Sequence, residues 1–217
     1  MPVIVIASPK GGSGKSTTSV ILGTELAHAG ARVTILDCDP NHSVTLWASR
    51  APLPARVSVE SDVTEAEVIR TIKRHDKDGA LVIVDLEGVA SRLASRAISQ
   101  ADLVLIPMRA TTLDATIGAR ALQLVAEEEE TLGRTIQCAV VFTMTRAIRS
   151  KQHSGIQASL SEQGLDVIEP PLMERAAFSA LFEFGGDLRT IPAQGVMVGA
   201  IENAAAFAQQ VYKRLTE

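Results

Sequence analysis

Pro9-Lys10-Gly11-Gly12-Ser13-Gly14-Lys15-Ser16-Thr17 is the stretch on which the reading of this chain turns. Before it runs Val3-Ile4-Val5-Ile6-Ala7, an unbroken apolar and largely β-branched segment of the kind needed by a strand buried on both faces. After it, Lys15 to Ala29 carries apolar residues at helical spacing (Val20, Leu22, Leu26, Ala27) and stops at Gly30. A glycine loop joining a strand to a helix is a phosphate cradle. Its glycines reach dihedrals closed to other residues, so the loop N–H groups can turn inward on a polyphosphate at the positive end of the helix dipole. Gly11, Gly12, Ser13, Gly14, Lys15, Ser16 and Thr17 are therefore expected to bind nucleotide. Lys15 is expected to hold the β- and γ-phosphates, and the Ser16 hydroxyl to complete a Mg²⁺ shell. The run departs twice from G-x-x-x-x-G-K-[ST]: Pro9 stands where the first glycine belongs, and Lys10 adds a second lysine inside the loop.

Outward from the loop, strand and helix alternate. Strands are predicted at Val3–Ala7, Arg32–Leu36, Arg56–Val59, Leu81–Val84, Leu103–Ile106, Ile136–Phe142 and Asp166–Ile168, with helices at Thr64–His75, Leu113–Leu132, Lys151–Gln163 and Gln194–Leu215 among others. The pattern predicts an α/β three-layer sandwich, a mostly parallel sheet of seven to eight strands flanked by helices, with the ligand at the carboxyl ends of the strands. Residues 1–217 suit one such P-loop ATPase domain. Thr64 with Glu67 reads as a capping box, and Gly133 and Gly164 as helix stops.

Two predicted strands end in acids. Asp37-Cys38-Asp39-Pro40-Asn41 follows one of them, and two readings stay open: outer-sphere Mg²⁺ contact with positioning of an attacking water, or strand termination and capping of a helix near His42. Leu81-Val82-Ile83-Val84-Asp85 is four apolar residues closed by a carboxylate, placing Asp85 to hold the water shell of Mg²⁺.

The run Lys10 to Thr17 resembles the deviant Walker A motif of the ParA/MinD ATPases, and the resemblance continues in order to about Gly185. Asp37-Cys38-Asp39-Pro40 resembles the family's first switch, implying that Asp39 orients the nucleophilic water and touches the metal shell. Ala101–Pro107 followed by Thr111-Thr112-Leu113-Asp114 resembles a strand and helix start at the dimer face. Phe142–Arg146 and Pro170–Phe178 fall where relatives build the adenine pocket, which makes Arg146 and Met173 candidates for base contact as well as for ordinary surface and packing roles. Glu87, just after Asp85, departs from the family text. The resemblance implies ATP and Mg²⁺ as cofactors, slow intrinsic hydrolysis to ADP and phosphate, and an ATP-sandwiched homodimer in which Lys10 reaches the nucleotide of the other subunit, catalytic alongside Lys15 and Asp39. It further implies non-specific DNA binding, a stimulating ParB-like partner, and partitioning of a plasmid, chromosome or other cargo.

Charge tempers the DNA reading, because a net charge of −4 demands a local basic patch. Arg149, Lys151, Arg189, Lys213 and Arg214 are the candidates for phosphate contact, and each is equally open to a reading as a solubilising surface charge. The final helix pairs short alanines with offsetting charges, which reads as docking on the chain's own core and disfavours a MinD-like membrane helix. Cys38 and Cys138 suggest neither zinc site nor disulfide, so a reducing cytoplasm is expected, with nucleoid association in the ATP state. No apolar stretch approaches membrane-spanning length, and no helix-turn-helix domain is expected before Val3. The rival readings are a nucleotide-switched scaffold working through protein contacts, a MinD-like membrane-associated positioning ATPase, and an ATP-dependent small-molecule ligase.

Overall fold

Seven parallel strands and eight helices are seen in the computed structural model, which describes residues 1–146, 150–192 and 197–216. The strands are β1 (Val3–Ile6), β2 (Val33–Cys38), β3 (Val57–Ser61), β4 (Leu81–Leu86), β5 (Leu103–Met108), β6 (Gln137–Phe142) and β7 (Asp166–Val167), in the order β3-β2-β4-β1-β5-β6-β7. The helices are α1 (Lys15–His28), α2 (Ser43–Arg50), α3 (Val68–Lys77), α4 (Arg92–Ile98), α5 (Thr112–Leu132), α6 (Lys151–Glu162), α7 (Ala176–Phe184) and α8 (Val198–Thr216).

The two-residue period of the strands divides the core in two. Ile4, Ile6, Ile35, Ile83, Leu105 and Val141 face a layer built from α1, α2, α7 and α8, with Trp47 and Phe207 fully buried in it. Val3, Val5, Val82, Val84, Val104 and Ile106 face the other layer, under α3, α4, α5 and α6. Because helices cover both faces, the central strands carry apolar residues on both sides, which is why they read as continuous runs.

Register sets the site. In-register pairing places Asp37 opposite Asp85 across β2 and β4, and Ile6 opposite Asp85 across β1 and β4. Both acids therefore emerge beside the loop that leaves β1, where the chain's crossovers change direction. Gly133 closes α5 in the left-handed region (φ 63°) and Gly164 follows α6 likewise (φ 77°), as expected of helix stops. The capping box at Thr64 is not formed. Thr64 Oγ1 donates to the Glu67 carboxylate at 2.8 Å, and α3 begins only at Val68, after a turn closed on the Thr64 carbonyl. The side chain that was to cap an N–H is used on another side chain.

Candidate functional site

The loop between β1 and α1 owes its shape to two glycines. Gly12 (φ 70°) and Gly14 (φ 90°) lie in the left-handed region, and a Cβ on Gly14 would also sit 3.3 Å from the Thr143 Cβ. The loop is braced from outside. Thr143 Oγ1 donates to the Ser13 carbonyl at 2.7 Å, Arg109 to the Gly12 carbonyl at 3.3 Å, and Lys15 Nζ to the Lys10 carbonyl at 3.4 Å. Among the described residues none of the main-chain N–H groups from Gly14 to Thr17 donates to a protein acceptor, and before them a turn spans Gly11 and Gly12. A row of unsatisfied N–H groups at a helix start is an anion site, and two further groups point the same way. Ser13 Oγ is buried without a partner, and the ammonium of Lys15, 6% exposed, faces no carboxylate among the described residues. The residues fit a polyphosphate.

The cleft above the loop encloses about 800 Å³ and is lined by Gly11, Gly12, Gly14, Lys15, Ser16 and Thr17, with Asp39 and Asn41 from the segment after β2. Glu87 and Gly88, after β4, complete the lip, so Glu87 faces the cleft. Exposed Arg120 on α5 reaches the same cleft. It escaped the sequence reading because helical spacing alone gives no sign that α5 leans over the loop.

Asp85 is wholly buried behind the cleft, accepting from Ser16 Oγ at 2.7 Å and from Ser19 Oγ at 2.9 Å. Burial pushes its carboxyl up to about 7; the two serine hydrogen bonds and Lys15 oppose this, and the charge of Asp37 adds to it. A carboxylate joined to the Ser16 hydroxyl and short of positive charge fits the shell of a divalent cation. Asp39, 8% exposed, accepts from the Asn41 N–H and Nδ2, both at 2.8 Å and both on Oδ1, so Oδ2 has no partner among the described residues. Asp37 takes the other open role. Its Oδ2 accepts from the N–H and hydroxyl of Thr45, both at 2.7 Å, and ties down the first turn of α2.

Lys10 points away from its own cleft. Its ammonium lies 2.6 Å from Oδ1 of buried Asp114, whose Oδ2 accepts from the Thr111 hydroxyl at 2.6 Å, while Thr111 caps α5 by accepting from the Asp114 N–H at 3.1 Å. Burial pushes the Asp114 carboxyl up, but hydrogen bonds from Lys10 and Thr111 and the charges of Lys10 and Arg109 outweigh it and hold it below the ordinary carboxylate range.

A second hollow of about 120 Å³ opens beside Gly14 and Thr17, lined by Met144, Met173, Arg175 and Phe178. Met173 is thus brought to the loop, whereas exposed Arg146 is outside the lining. Asn203 on α8 fixes this wall, accepting from the Met173 N–H at 3.0 Å and donating to the Pro171 carbonyl at 2.8 Å. An asparagine in a helix of alanines gave no hint of that task.

The five expected DNA contacts scatter. Arg189 is bound through both guanidinium nitrogens to Glu25, at 2.7 and 2.9 Å, so it serves as a strap between the segment before α8 and helix α1. Arg214 is paired with Asp166, and Lys213 is also engaged. Lys151 is exposed at the start of α6, and Arg149 lies outside the described residues. Burial raises the Cys38 and Cys138 thiols to about 12, so neither is a ready nucleophile. Among the described residues no helix is long and apolar enough to cross a membrane.

Comparison with known proteins settles the family. The VirC1 protein family matches residues 1–211, and a protein named ParA from Rhizobium radiobacter is 64% identical across all of this chain and 99% of its own length. The chain belongs to the VirC1 family of ParA/MinD-type P-loop ATPases. Fold comparison alone would not have decided this. An ATP complex of McdA from Cyanothece superposes with a TM-score of 0.79 at 21% identity, covering 100% of this chain and 96% of that one. A cobyrinic acid a,c-diamide synthase from Mycobacterium smegmatis, with ADP and magnesium bound, reaches 0.71 at 15% with the same coverage. Positioning ATPases and ligases share the architecture, and it is the sequence-level kinship that places this chain among the former.

Proposed function

We propose that this VirC1-family chain is a Mg²⁺-dependent ATPase that closes into an ATP-sandwiched homodimer, binds DNA without sequence preference in that state, and partitions a cargo with a partner protein that stimulates hydrolysis. The observation that carries the reading is the division between two lysines. Lys15 is buried in the cleft beneath unsatisfied N–H groups, whereas Lys10 is held outside it by Asp114. A lysine in the loop that does not serve its own cleft is free to serve a partner's, and one acting in trans would stabilise charge on the transferring phosphoryl group as an arginine finger does.

Roles follow for the other side chains. The N–H groups of the loop and Lys15 bind the polyphosphate, Asp39 orients the attacking water with Oδ2, and Ser16 with Asp85 would hold the Mg²⁺ shell. Mg²⁺, when bound, neutralises charge on the β- and γ-phosphates. The bound ADP and magnesium of the synthase and the ATP of McdA lend support at the level of the fold.

The test is ATP turnover per subunit as a function of protein concentration, with Lys10→Ala beside the wild type. Turnover should climb as dimers form, and the variant should keep nucleotide binding while losing hydrolysis by roughly 10³-fold, the range of a missing finger residue. Turnover independent of concentration, or a fully active variant, overturns the trans role.

A further inference from the structure

Helix α3 carries four cations on one face. Arg70, Lys73, Arg74 and Lys77 follow the i, i+3, i+4, i+7 rule and are all exposed, while Val68, Thr71 and Ile72 on the opposite side are buried under the sheet. The stripe borders a shallow groove of about 630 Å³ with Ala66, Ile69 and Asp78. Arg70 and Arg74 have exposed or half-exposed acidic neighbours, Glu67 and Glu60, whereas Lys73 and Lys77 make no ion pair among the described residues. Acids flank the stripe in sequence, so what sets these four cations apart is their alignment on one exposed face rather than a local excess of charge.

We infer that the Arg70–Lys73–Arg74–Lys77 face of α3 is the surface on which this chain meets the phosphate backbone of DNA. The inference rests on the DNA-binding reading above and gives it a place.

Three observations select the partner. The stripe spans about 10 Å of helix, since 7 residues rise at 1.5 Å each, a length that covers about three successive phosphates of one strand rather than a point site. A membrane-surface helix would set several bulky apolar side chains beside its cations, and here only half-buried Ile69 stands there, while Val68 and Ile72 face the core. The acidic run Glu127–Glu130 of α5 lies beyond α4 in the same layer, so of these two helices it is α3 that offers a polyanion a face of aligned cations, with Glu60, Glu67, Asp76 and Asp78 flanking it. The face is also separate from the nucleotide cleft, as none of the four cations lines it. Lysine and arginine contacts of this kind supply affinity without reading bases.

The experiment is fluorescence anisotropy of a labelled duplex of arbitrary sequence with ATP-loaded protein, across a salt series, comparing wild type, Lys73→Glu/Lys77→Glu and Lys151→Glu. The double variant should bind at least about 10-fold more weakly at low salt and flatten the log–log salt slope by about 2, while melting and basal hydrolysis stay at the wild-type level. Should charge reversal impair folding, Lys73→Gln/Lys77→Gln carries the same test with a smaller effect. Wild type that binds DNA while both double variants match it in affinity and slope overturns the α3 assignment alone. Wild type that fails to bind at low salt overturns the DNA-binding reading with it. Preference for phosphatidylglycerol vesicles over duplex shows a lipid surface and overturns the assignment to nucleic acid.

Discussion

Asp85 closes β4 and Asp114 opens α5, both buried at the same end of the sheet, and their surroundings drive them in opposite directions. Asp114 has a cation 2.6 Å away, and its carboxyl is held below the ordinary range. Asp85 has two hydroxyls and an acidic neighbour, and burial carries it to about 7. Lys15 offsets this only in part, and a buried carboxylate short of positive charge is a cost to the fold. The pair thus separates a carboxylate left short of positive charge from one that has a cation of the chain within hydrogen-bond distance.

Among the carboxylate and partner variants that test this contrast, the largest effect should come from Asp85→Asn. Removal of the charge is expected to cut Mg²⁺-dependent turnover by about 10²-fold, and at the same time to stabilise the metal-free protein by roughly 1–3 kcal/mol at neutral pH, or about 3 °C of Tm per kcal/mol. The sign of its pH dependence is definite. An unfolded aspartate ionises near about 3.9 and this one near about 7, so folding takes up a proton between those values. Wild-type stability in EDTA should fall relative to the variant as pH rises through that window and level off above it. Asp114 has the reverse signature, its contribution being present above the ordinary carboxylate pKa and lost as acid protonates it below that range. Equal melting curves for the Asp85→Asn protein and wild type from pH 4 to pH 8 would break the contrast.

Glu25 allows the same contrast to be made by mutation. It is buried at the far end of α1 with Arg189 as its cation, much as Asp114 has Lys10. Arg189→Met would leave the carboxylate uncompensated and should destabilise by roughly 3 kcal/mol near neutrality, less in acid, with turnover unchanged because the pair lies away from the cleft. Calorimetry at two pH values reads this directly, and a variant as stable as wild type at neutral pH would show that burial alone does not make these carboxylates costly.

Which of this was legible in sequence follows from what each signal is made of. The central strands were readable because burial on both faces leaves largely apolar runs, while the edge strands β3 and β7 are mixed or short, and β2 and β4 reach two residues further than predicted to include Asp37 and Asp85. Asp39, Asp85, Lys15 and Ser16 converge because parallel register aligns the strand ends. Charge partners did not show. Arg189 and Arg214 looked like free cations, and only the chain's return over α1 and β7 gives them Glu25 and Asp166. Helices α4 and α7 span only 7 and 9 residues, too few for a clear periodicity. The stripe on α3 was in plain view by spacing, yet its significance depended on the expected cations being occupied elsewhere.

The smallest effect should come from Asp114→Asn, and it probes the contrast most directly. Asparagine keeps an acceptor for the Thr111 hydroxyl and fills the same volume, so the start of α5 should lose about 1 kcal/mol at most. What it removes is the charge that holds Lys10 beside its own subunit. Lys10 is one-third exposed, so once released it is hydrated at little cost and no longer has to break an ion pair before reaching a partner. If Lys10 works in trans, that bond is a toll on dimerisation. The protein concentration at half-maximal turnover should then fall by about two- to fivefold, the equivalent of roughly 0.4–1 kcal/mol. An unchanged midpoint would mean that the Lys10–Asp114 pair does not oppose assembly. A raised one would mean that Asp114 orients Lys10 for its task, so that the carboxylate with its own cation takes part in the active dimer.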